Sequence, residues 1–341
     1  MGQGRAVARR LASLYPTIIT RSPTTWGAIF HASNTAPSFA TIRTALRAQL
    51  VPVLERALSA ADPDVVLSVH PLLNHITASL LRREDRRRAL MTVVTDLVDV
   101  HRGWACRAAD LVVVPTEDAE RATRRWVPAD RVRLLGMPVD LRFRPPLPGE
   151  PARIRRHLGL DEERPTVLVV GGGEGSGGLF GQVRALSERR QPWQVIAVCG
   201  RNEQLRRRLL HLRFGTPTLV LGFVDDMPDL LRASDVAVGK AGPGAIAEAL
   251  ATAVPLVVTS YLPGQERSNV RFVMESGVGR YAPRPSSLLA VVSDLLCGND
   301  EARLRMRARA AALTRPGAAL EAAHACLELA DRYRAVSQAS R

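Results

Sequence analysis

The stretch VGKAGPGAIAEAL (Val238–Leu250) holds Lys240, and every other side chain among the 47 lysines and arginines of the chain is arginine. An ammonium beside Gly242-Pro243-Gly244, where a helical pattern begins, has a specific chemical use. Glycines let backbone N–H groups approach an anion at a helix N-terminus, where the macrodipole favours negative charge. Pro243 removes no needed donor when it occupies the first helical turn. The ammonium adds a compact, mobile charge that arginine's planar fork does not reproduce. Glu248 follows one turn further on, and a carboxylate there can accept two ribose hydroxyls. Taken alone, Glu248 also fits an ordinary exposed helix acid. The arginine bias as a whole also follows from a GC-rich coding genome, so it carries little by itself.

A second glycine loop, VLVVGGGEGSGGLFGQV (167–183), reads as strand, loop and helix. Its Gly173-x-Gly175-x-x-Gly178 spacing fits a phosphate-binding turn, with Glu174 inside it. A nicotinamide cofactor would call for an acid at the end of the next strand. That strand ends Cys199-Gly200-Arg201-Asn202, so only a 2′-phosphate on Arg201, hence NADP, keeps that reading open. Two helix N-termini aimed at one crevice suit a diphosphate. Phe223 and Val224 end another strand at the same edge, where an aromatic face and an exposed backbone can hold a planar base such as uracil. A plain hydrophobic strand end fits Phe223 equally. Gln265 and Glu266, at a loop-to-helix junction, can hydrogen-bond sugar hydroxyls.

The first half carries a different set. Asp96 follows the run LMTVV (90–94), at the strand end where a parallel sheet places its chemistry. It is the candidate general base or base partner. His70 and His75 end the preceding strand and are expected to face the same crevice, although each also fits a satisfied polar core residue. Asp62-Pro63-Asp64 has the letters of a metal-binding pair but precedes a strand, so it reads as a helix-to-strand turn. With Lys240 and two helix N-termini available for the charge, no metal and no cofactor are expected.

The elements that must position these groups are short β-branched runs alternating with helical stretches. Strands are predicted in 64–69, 90–94, 111–114 and 131–136, then in 166–171, 193–200, 218–223, 235–239 and 255–260. Such continuous apolar runs suit strands buried on both faces of a parallel sheet, the pattern of α/β units. The segment FRPPLPGEP (143–151) is a stiff, helix-incompatible linker. Two Rossmann-like domains are therefore expected, 1–145 and 151–315. A C-terminal helix (316–341) would cross back to the first, and another helix (Gly4–Tyr15) would open the chain.

A length of 341 residues and 46% hydrophobic content allow two cores, whereas 4% aromatic content leaves few base-stacking platforms for nucleic acid. The net charge of +14 favours anionic surfaces, and the runs LRREDRRRAL, ERATRRW and LRRRLLHLR lie on predicted helices. Each run alone also fits a solvated helix face. No stretch approaches the ~20 apolar residues of a spanning helix, and no secretory leader is visible. Cys106, Cys199, Cys297 and Cys326 are far apart, as reduced core thiols are. The expectation is a cytoplasmic protein, peripheral on the inner face of the plasma membrane.

Taken together, GGGEG, GF-x-x-x-M, KAGPG-x-x-AEA and GQE-x-x-NV resemble the monogalactosyldiacylglycerol synthase and diacylglycerol glucosyltransferase group of glycosyltransferase family 28. The resemblance continues through SVHPLLNH (68–75), VVTDL (93–97) and HRGW (101–104), in matching order over about residues 10–330. It implies a GT-B fold whose second domain binds a UDP-sugar and whose first binds a lipid acceptor. It implies diphosphate contact at Gly173, Glu174 and Gly242–Gly244, uracil at Phe223 and Val224, ribose at Glu248, and sugar hydroxyls at Gln265 and Glu266. His75, His101 and Trp104 fall on the acceptor side. The sequence resembles the family only from beyond its first strand and histidine-bearing glycine loop, so the first domain is expected to lack a βαβ unit. The implied activity is inverting transfer of a hexose from UDP-sugar to diacylglycerol at a membrane. The alternatives are a noncatalytic UDP-sugar- or membrane-binding relic, a UDP-GlcNAc epimerase-like enzyme, or an NADP enzyme.

Overall fold

The computed structural model describes residues 23–83, 87–173, 178–298 and 300–339. The helix predicted over Gly4–Tyr15 lies outside them. The chain divides into two units, Met1–Pro138 with Gly317–Arg341, and Val139–Pro316.

The first unit contains α1 (Pro23–Ser33), α2 (Ala36–Ala61), β1 (Val65–Ser68), α3 (Asn74–Leu81), β2 (Ala89–Val93), β3 (Leu111–Val114), α4 (Glu117–Thr123) and β4 (Val132–Leu134). The four strands pair in parallel in the order β1-β2-β3-β4. Alternate residues of each strand serve opposite faces. Leu90, Val112 and Val114 meet Leu81, Trp104 and Val127 on one side. Met91, Val93 and Val113 meet Ala322, Ala325 and Leu329 of the C-terminal helix (Ala318–Ala339) on the other. Alanines at the contact let that helix lie close to the sheet. Polar ties fix its register, with the Tyr333 hydroxyl donating to Asp110 and Arg334 pairing with Asp64. Asp62 ends α2 in the left-handed region and pairs with Arg88. Asp62-Pro63-Asp64 is thus a turn before β1, with both carboxylates held by arginine.

The second unit runs through α5 (Glu150–His157), β5 (Thr166–Val170), α6 (Leu179–Ser187), β6 (Gln194–Val198), α7 (Glu203–Leu210), β7 (Thr218–Leu221), α8 (Met227–Arg232), β8 (Val236–Lys240), α9 (Pro243–Ala251), β9 (Leu256–Ser260), α10 (Arg267–Glu275), β10 (Gly279–Tyr281), α11 (Pro285–Ser293) and α12 (Asp300–Leu313). Its six strands are parallel in the order β10-β9-β8-β5-β6-β7. The chain works outward from β5 to β7, then returns to the other side of β5 at β8. That reversal creates a switch point between β5 and β8, where ligands of open α/β sheets bind. Val167, Val169, Leu186, Trp193 and Val195 are fully buried beneath it. Trimming Leu186 to alanine would cost roughly 2–5 kcal/mol. The segment before α5 is folded rather than extended. The buried Glu150 carboxylate accepts from Arg144 at 2.8 and 2.9 Å and from the Leu147 N–H at 2.9 Å. These bonds hold its pKa down at about 2.

Each predicted strand window contains a strand. β10 was not predicted, because Gly-Arg-Tyr is short and not β-rich, and only its pairing with β9 makes it a strand. No described helix is long and apolar enough to cross a membrane.

Candidate functional site

In the second unit the β5–β8 adjacency brings the two glycine loops side by side. Gly172 is left-handed (φ 69°) and Gly173 is exposed. Glu174 and Gly175 lie outside the described residues. Gly178 (φ 80°) caps α6. On the other loop Gly242 is the N-cap of α9, Pro243 opens its first turn, and a Cβ at Gly244 would meet nothing within 4 Å. The α9 N-terminus is therefore open to an approaching anion.

Lys240 ends β8 at a shift in register against β9 between Gly239 and Lys240. Such an irregularity re-aims a side chain. The Lys240 ammonium lies 2.6 Å from Glu266 Oε1, while Glu266 Oε2 accepts from the Leu262 N–H at 2.7 Å. Side-chain exposure is 36% for Lys240 and 4% for Glu266, so the ammonium still reaches solvent and the carboxylate does not. The role expected for Glu266, bonding sugar hydroxyls, is thus at odds with a buried carboxylate already occupied by Lys240 and Leu262. Gln265 is half-buried beside it. The loop around Lys240 is braced further: Asn269 Nδ2 donates to the Ala241 carbonyl, Thr259 Oγ1 donates to the Gly239 carbonyl, and Gln182 Nε2 donates to Thr259 Oγ1.

Phe223 lies two residues beyond β7 with its side chain exposed, and the Arg201 guanidinium stacks 4.4 Å from its ring centroid. Val224 next to it is half-buried. A base that uses the Phe223 face must share it with Arg201, which the sequence had linked only to a 2′-phosphate. The Glu248 carboxylate, half-buried on α9, has no hydrogen-bond partner among the described residues. Burial pushes its carboxyl up to about 7. A carboxylate held so near neutrality gains from hydroxyl donors that stabilise its ionised form.

In the first unit, Asp96 lies three residues past β2 and is buried. Its Oδ2 accepts from the His101 N–H at 3.0 Å and from Trp104 Nε1 at 2.9 Å. Oδ1 has no partner among the described residues. Burial raises its pKa to about 6 despite these two bonds, a value suited to a general base near neutral pH.

His101 and Trp104 occupy places other than those expected. Trp104 is 1% exposed, and its indole anchors Asp96 instead of facing an acceptor. His101 is buried against Phe30 and Phe39. Its Nδ1 accepts from the Gly103 N–H at 3.0 Å, and Nε2 meets Ser33 Oγ at 3.2 Å. Burial and the neighbouring Arg102 lower its pKa to about 4, so it is neutral. Both rings hold the 96–104 loop together. His70 and His75 do not end a strand, since β1 stops at Ser68. His70 is exposed in the following loop, its Nδ1 accepting from the Leu72 N–H at 3.3 Å. His75 lies on α3, against Phe39 of α2. No hydrogen bond joins either to Asp96 among the described residues. The sequence reading missed Asn34, whose Oδ1 accepts from the Arg102 N–H at 2.7 Å, and Asn74, whose Nδ2 donates to the Gly103 carbonyl at 3.2 Å. Nothing in their spacing announces these partners, because they join through tertiary contact.

Two Rossmann-like units, one with paired glycine loops at its switch point, define an α/β protein of the GT-B glycosyltransferase type. MurG of Acinetobacter baumannii shares the fold, with a TM-score of 0.60 at 15% identity over 80% of this chain and 76% of that one. Residues 6–139 match the family model for monogalactosyldiacylglycerol (MGDG) synthase, and residues 166–320 match the glycosyltransferase family 28 C-terminal domain. The chain belongs to this monogalactosyldiacylglycerol synthase group of family 28. It is 33% identical over 284 residues to a probable chloroplastic monogalactosyldiacylglycerol synthase of Glycine max, covering 80% of this chain and 53% of that one. It is 32% identical over 297 residues to monogalactosyldiacylglycerol synthase 1 of Arabidopsis thaliana, covering 84% and 56%. The chain thus spans about half the length of these curated relatives.

Proposed function

We propose that the chain carries the UDP-sugar site and lipid-acceptor elements of an inverting hexosyltransferase acting on diacylglycerol. The observation that carries this reading is the Lys240–Gly242 loop, an ammonium beside an open helix N-terminus at a sheet switch point, in a chain of this family. The diphosphate lies against the Gly173 and Gly242–Gly244 backbone, with Lys240 on its oxygens. Uracil lies at Phe223 and Val224, ribose hydroxyls donate to Glu248, and the hexose meets Gln265.

In the reaction, Asp96 Oδ1 takes the proton of the acceptor hydroxyl. The hydroxyl oxygen attacks the anomeric carbon, and the bond from that carbon to the diphosphate breaks. The charge that develops on UDP is met by Lys240 and the α9 N–H groups, donors fixed before the reaction begins. This arrangement supplies the leaving group's stabilisation without a metal. The relatives' names make galactose the first sugar to test. Net charge of +14 supports peripheral attachment to an anionic membrane face.

The test is incubation with labelled UDP-galactose, UDP-glucose or UDP-GlcNAc and diacylglycerol vesicles, followed by lipid extraction and anomeric analysis. A β-linked monohexosyl lipid from one donor is expected. UDP binding without any glycolipid would leave the donor site standing and remove the transferase reading.

A further inference from the structure

A cavity of about 460 Å³ lies at the outer edge of the second unit's sheet, lined by no residue of either glycine loop. β10 is the last strand of that sheet and pairs only with β9. The Val278 carbonyl and the Ala282 N–H both bond to β9. Peptide groups alternate sides along a strand, so those of Gly279 and Tyr281 turn away from β9, toward the cavity that both residues line. They have no hydrogen-bond partner among the described residues. Such a row of edge groups is open to any ligand that can hydrogen-bond along it.

The side chains around this edge are of three kinds. Met274 is exposed on α10, while Val291 of α11 and Met306 of α12 pack onto the core of the unit, so the walls are apolar. Methionine adapts readily to irregular apolar surfaces. The Tyr281 hydroxyl has no hydrogen-bond partner among the described residues. Burial and Tyr261, whose ring centroid is 6.3 Å away, push its pKa up, so it stays a donor. Of the three arginines that line the cavity, Arg280 is paired with Asp294 at 2.6 Å and Arg305 with Glu301. Arg309 has neither an ion pair nor a hydrogen bond among the described residues. Its guanidinium lies over Gly277, where a Cβ would sit 1.8 Å from Nη1. Gly277, left-handed at φ 64°, thus leaves room for the fork.

Apolar walls with a few convergent polar groups, in a space within the range of roughly 300–1,000 Å³, are the makings of a small-molecule site. One unpaired guanidinium matches one carboxylate, whose two oxygens its fork can take together. A phosphate monoester would instead bring a second charge close to Asp294 and Glu301, the partners of the other two arginines. We propose that this cavity binds an amphipathic carboxylate, with its head on Arg309 and its apolar body along β10 against Met274 and Met306. The body is either an acyl chain or an aromatic group. The site shares no residue with the donor loops and does not rest on the transferase reading.

The test follows isotope-labelled methionine methyl groups of the full chain by NMR during titration with octanoate, phenylbutyrate or neutral octanol. Met274→Leu and Met306→Leu assign the two signals. Arg309→Met removes the charge, Arg309→Lys keeps it without the fork, and Ala302→Phe fills the cavity from α12. The control is Arg184→Ala, which removes an arginine paired with Glu188 outside the cavity. Thermal melting checks folding, and each titration is repeated with saturating UDP.

The expected result is a saturable shift of the Met274 and Met306 signals with at least one of the acids. Affinity should fall about tenfold or more in Arg309→Met and Ala302→Phe, and by a similar factor for octanol against octanoate, the loss that follows from removing a charge-assisted hydrogen bond. Arg309→Lys should keep part of the affinity, and Arg184→Ala all of it. Tighter binding of octanoate supports an acyl body, and tighter binding of phenylbutyrate an aromatic one. Equal affinity in Arg309→Met and the control overturns the proposal, as does octanol binding as tightly as octanoate. So does the absence of any saturable shift with either acid. Displacement of the acid by UDP overturns it too, because the cavity would then belong to the donor site.

Discussion

Lys240 and Glu266 form an ion pair at 2.6 Å, across 26 residues of sequence, with the carboxylate buried and the ammonium half-exposed. The pair holds the ammonium in place before any diphosphate arrives, so less freedom is lost on binding. It also means that replacing Lys240 has two consequences, one for ligand and one for fold.

Lys240→Ala is expected to weaken UDP binding by about 1.5–3 kcal/mol, the range for a charge-assisted hydrogen bond. It should also destabilise the fold by about 1–3 kcal/mol, because Glu266 then keeps its buried charge with one partner fewer. Adding Glu266→Gln to Lys240→Met should restore the thermal midpoint without restoring UDP affinity. UDP titration and melting curves read the two effects separately, and an unchanged UDP dissociation constant in Lys240→Ala would remove Lys240 from the site.

Glu248 links uridine binding to pH. Its folded pKa of about 7 lies above the usual carboxylate value, so between roughly pH 4.5 and 7 the folded state binds more protons than the unfolded state. Stability therefore falls as pH rises through that window, and Glu248→Gln should remove the slope. Ribose hydroxyls favour the ionised form, so uridine affinity should rise from pH 6 to 8 with proton release. Calorimetry in buffers of different ionisation heat detects that proton. Glu248→Gln should lose affinity for UDP and uridine alike and keep it for pyrophosphate.

For Asp96 the expected signature separates chemistry from anchoring. With a folded pKa of about 6, its carboxyl makes stability decline as pH rises from about 4 to 6, and transfer should increase with pH through about 6 as the base ionises. Asp96→Asn keeps one oxygen for the His101 and Trp104 N–H groups. It should melt near the parent temperature while kcat/KM drops about 10²–10⁴-fold, the usual contribution of a general base. An asparagine variant with parental kcat/KM would make Asp96 an anchor alone and send the search for the base to His70.

Chelation tests the charge assignment at the leaving group. With Lys240 and the α9 N-terminus meeting the developing charge, transfer should be unchanged by EDTA and unaffected by added Mg²⁺ or Mn²⁺. A tenfold loss on chelation, restored by one of these ions, would show that a divalent cation shares that work.

Membrane attachment driven by net charge should weaken as salt shortens the Debye length from about 10 Å at 0.1 M to about 3 Å at 1 M. Co-sedimentation with anionic vesicles is expected to decline over that range and to be absent with neutral ones. Retention at 1 M salt would mean that apolar contacts hold the protein instead.

Every described strand except β10 was legible because its apolar pattern is local. A run such as LVVV at 111–114 is buried on both faces in any parallel sheet, and glycine loops after strands announce helix N-termini. Lys240, Gly242, Pro243 and Glu248 were legible for the same reason, lying within one strand–loop–helix unit of nine residues whose spacing sets their geometry. What came only from the tertiary structure joins residues far apart in the chain. The Glu266 grip on Lys240 needs β8 beside β9 and a register shift between them. The Arg201 stack on Phe223 needs β6 beside β7. Trp104 and His101, polar-tipped residues in a motif of the first unit, turn inward because Asp96 and Ser33 meet them there. A sequence records which side chains carry charge, but whether a charge is neutralised, buried or left open depends on what folding brings within a few ångströms of it.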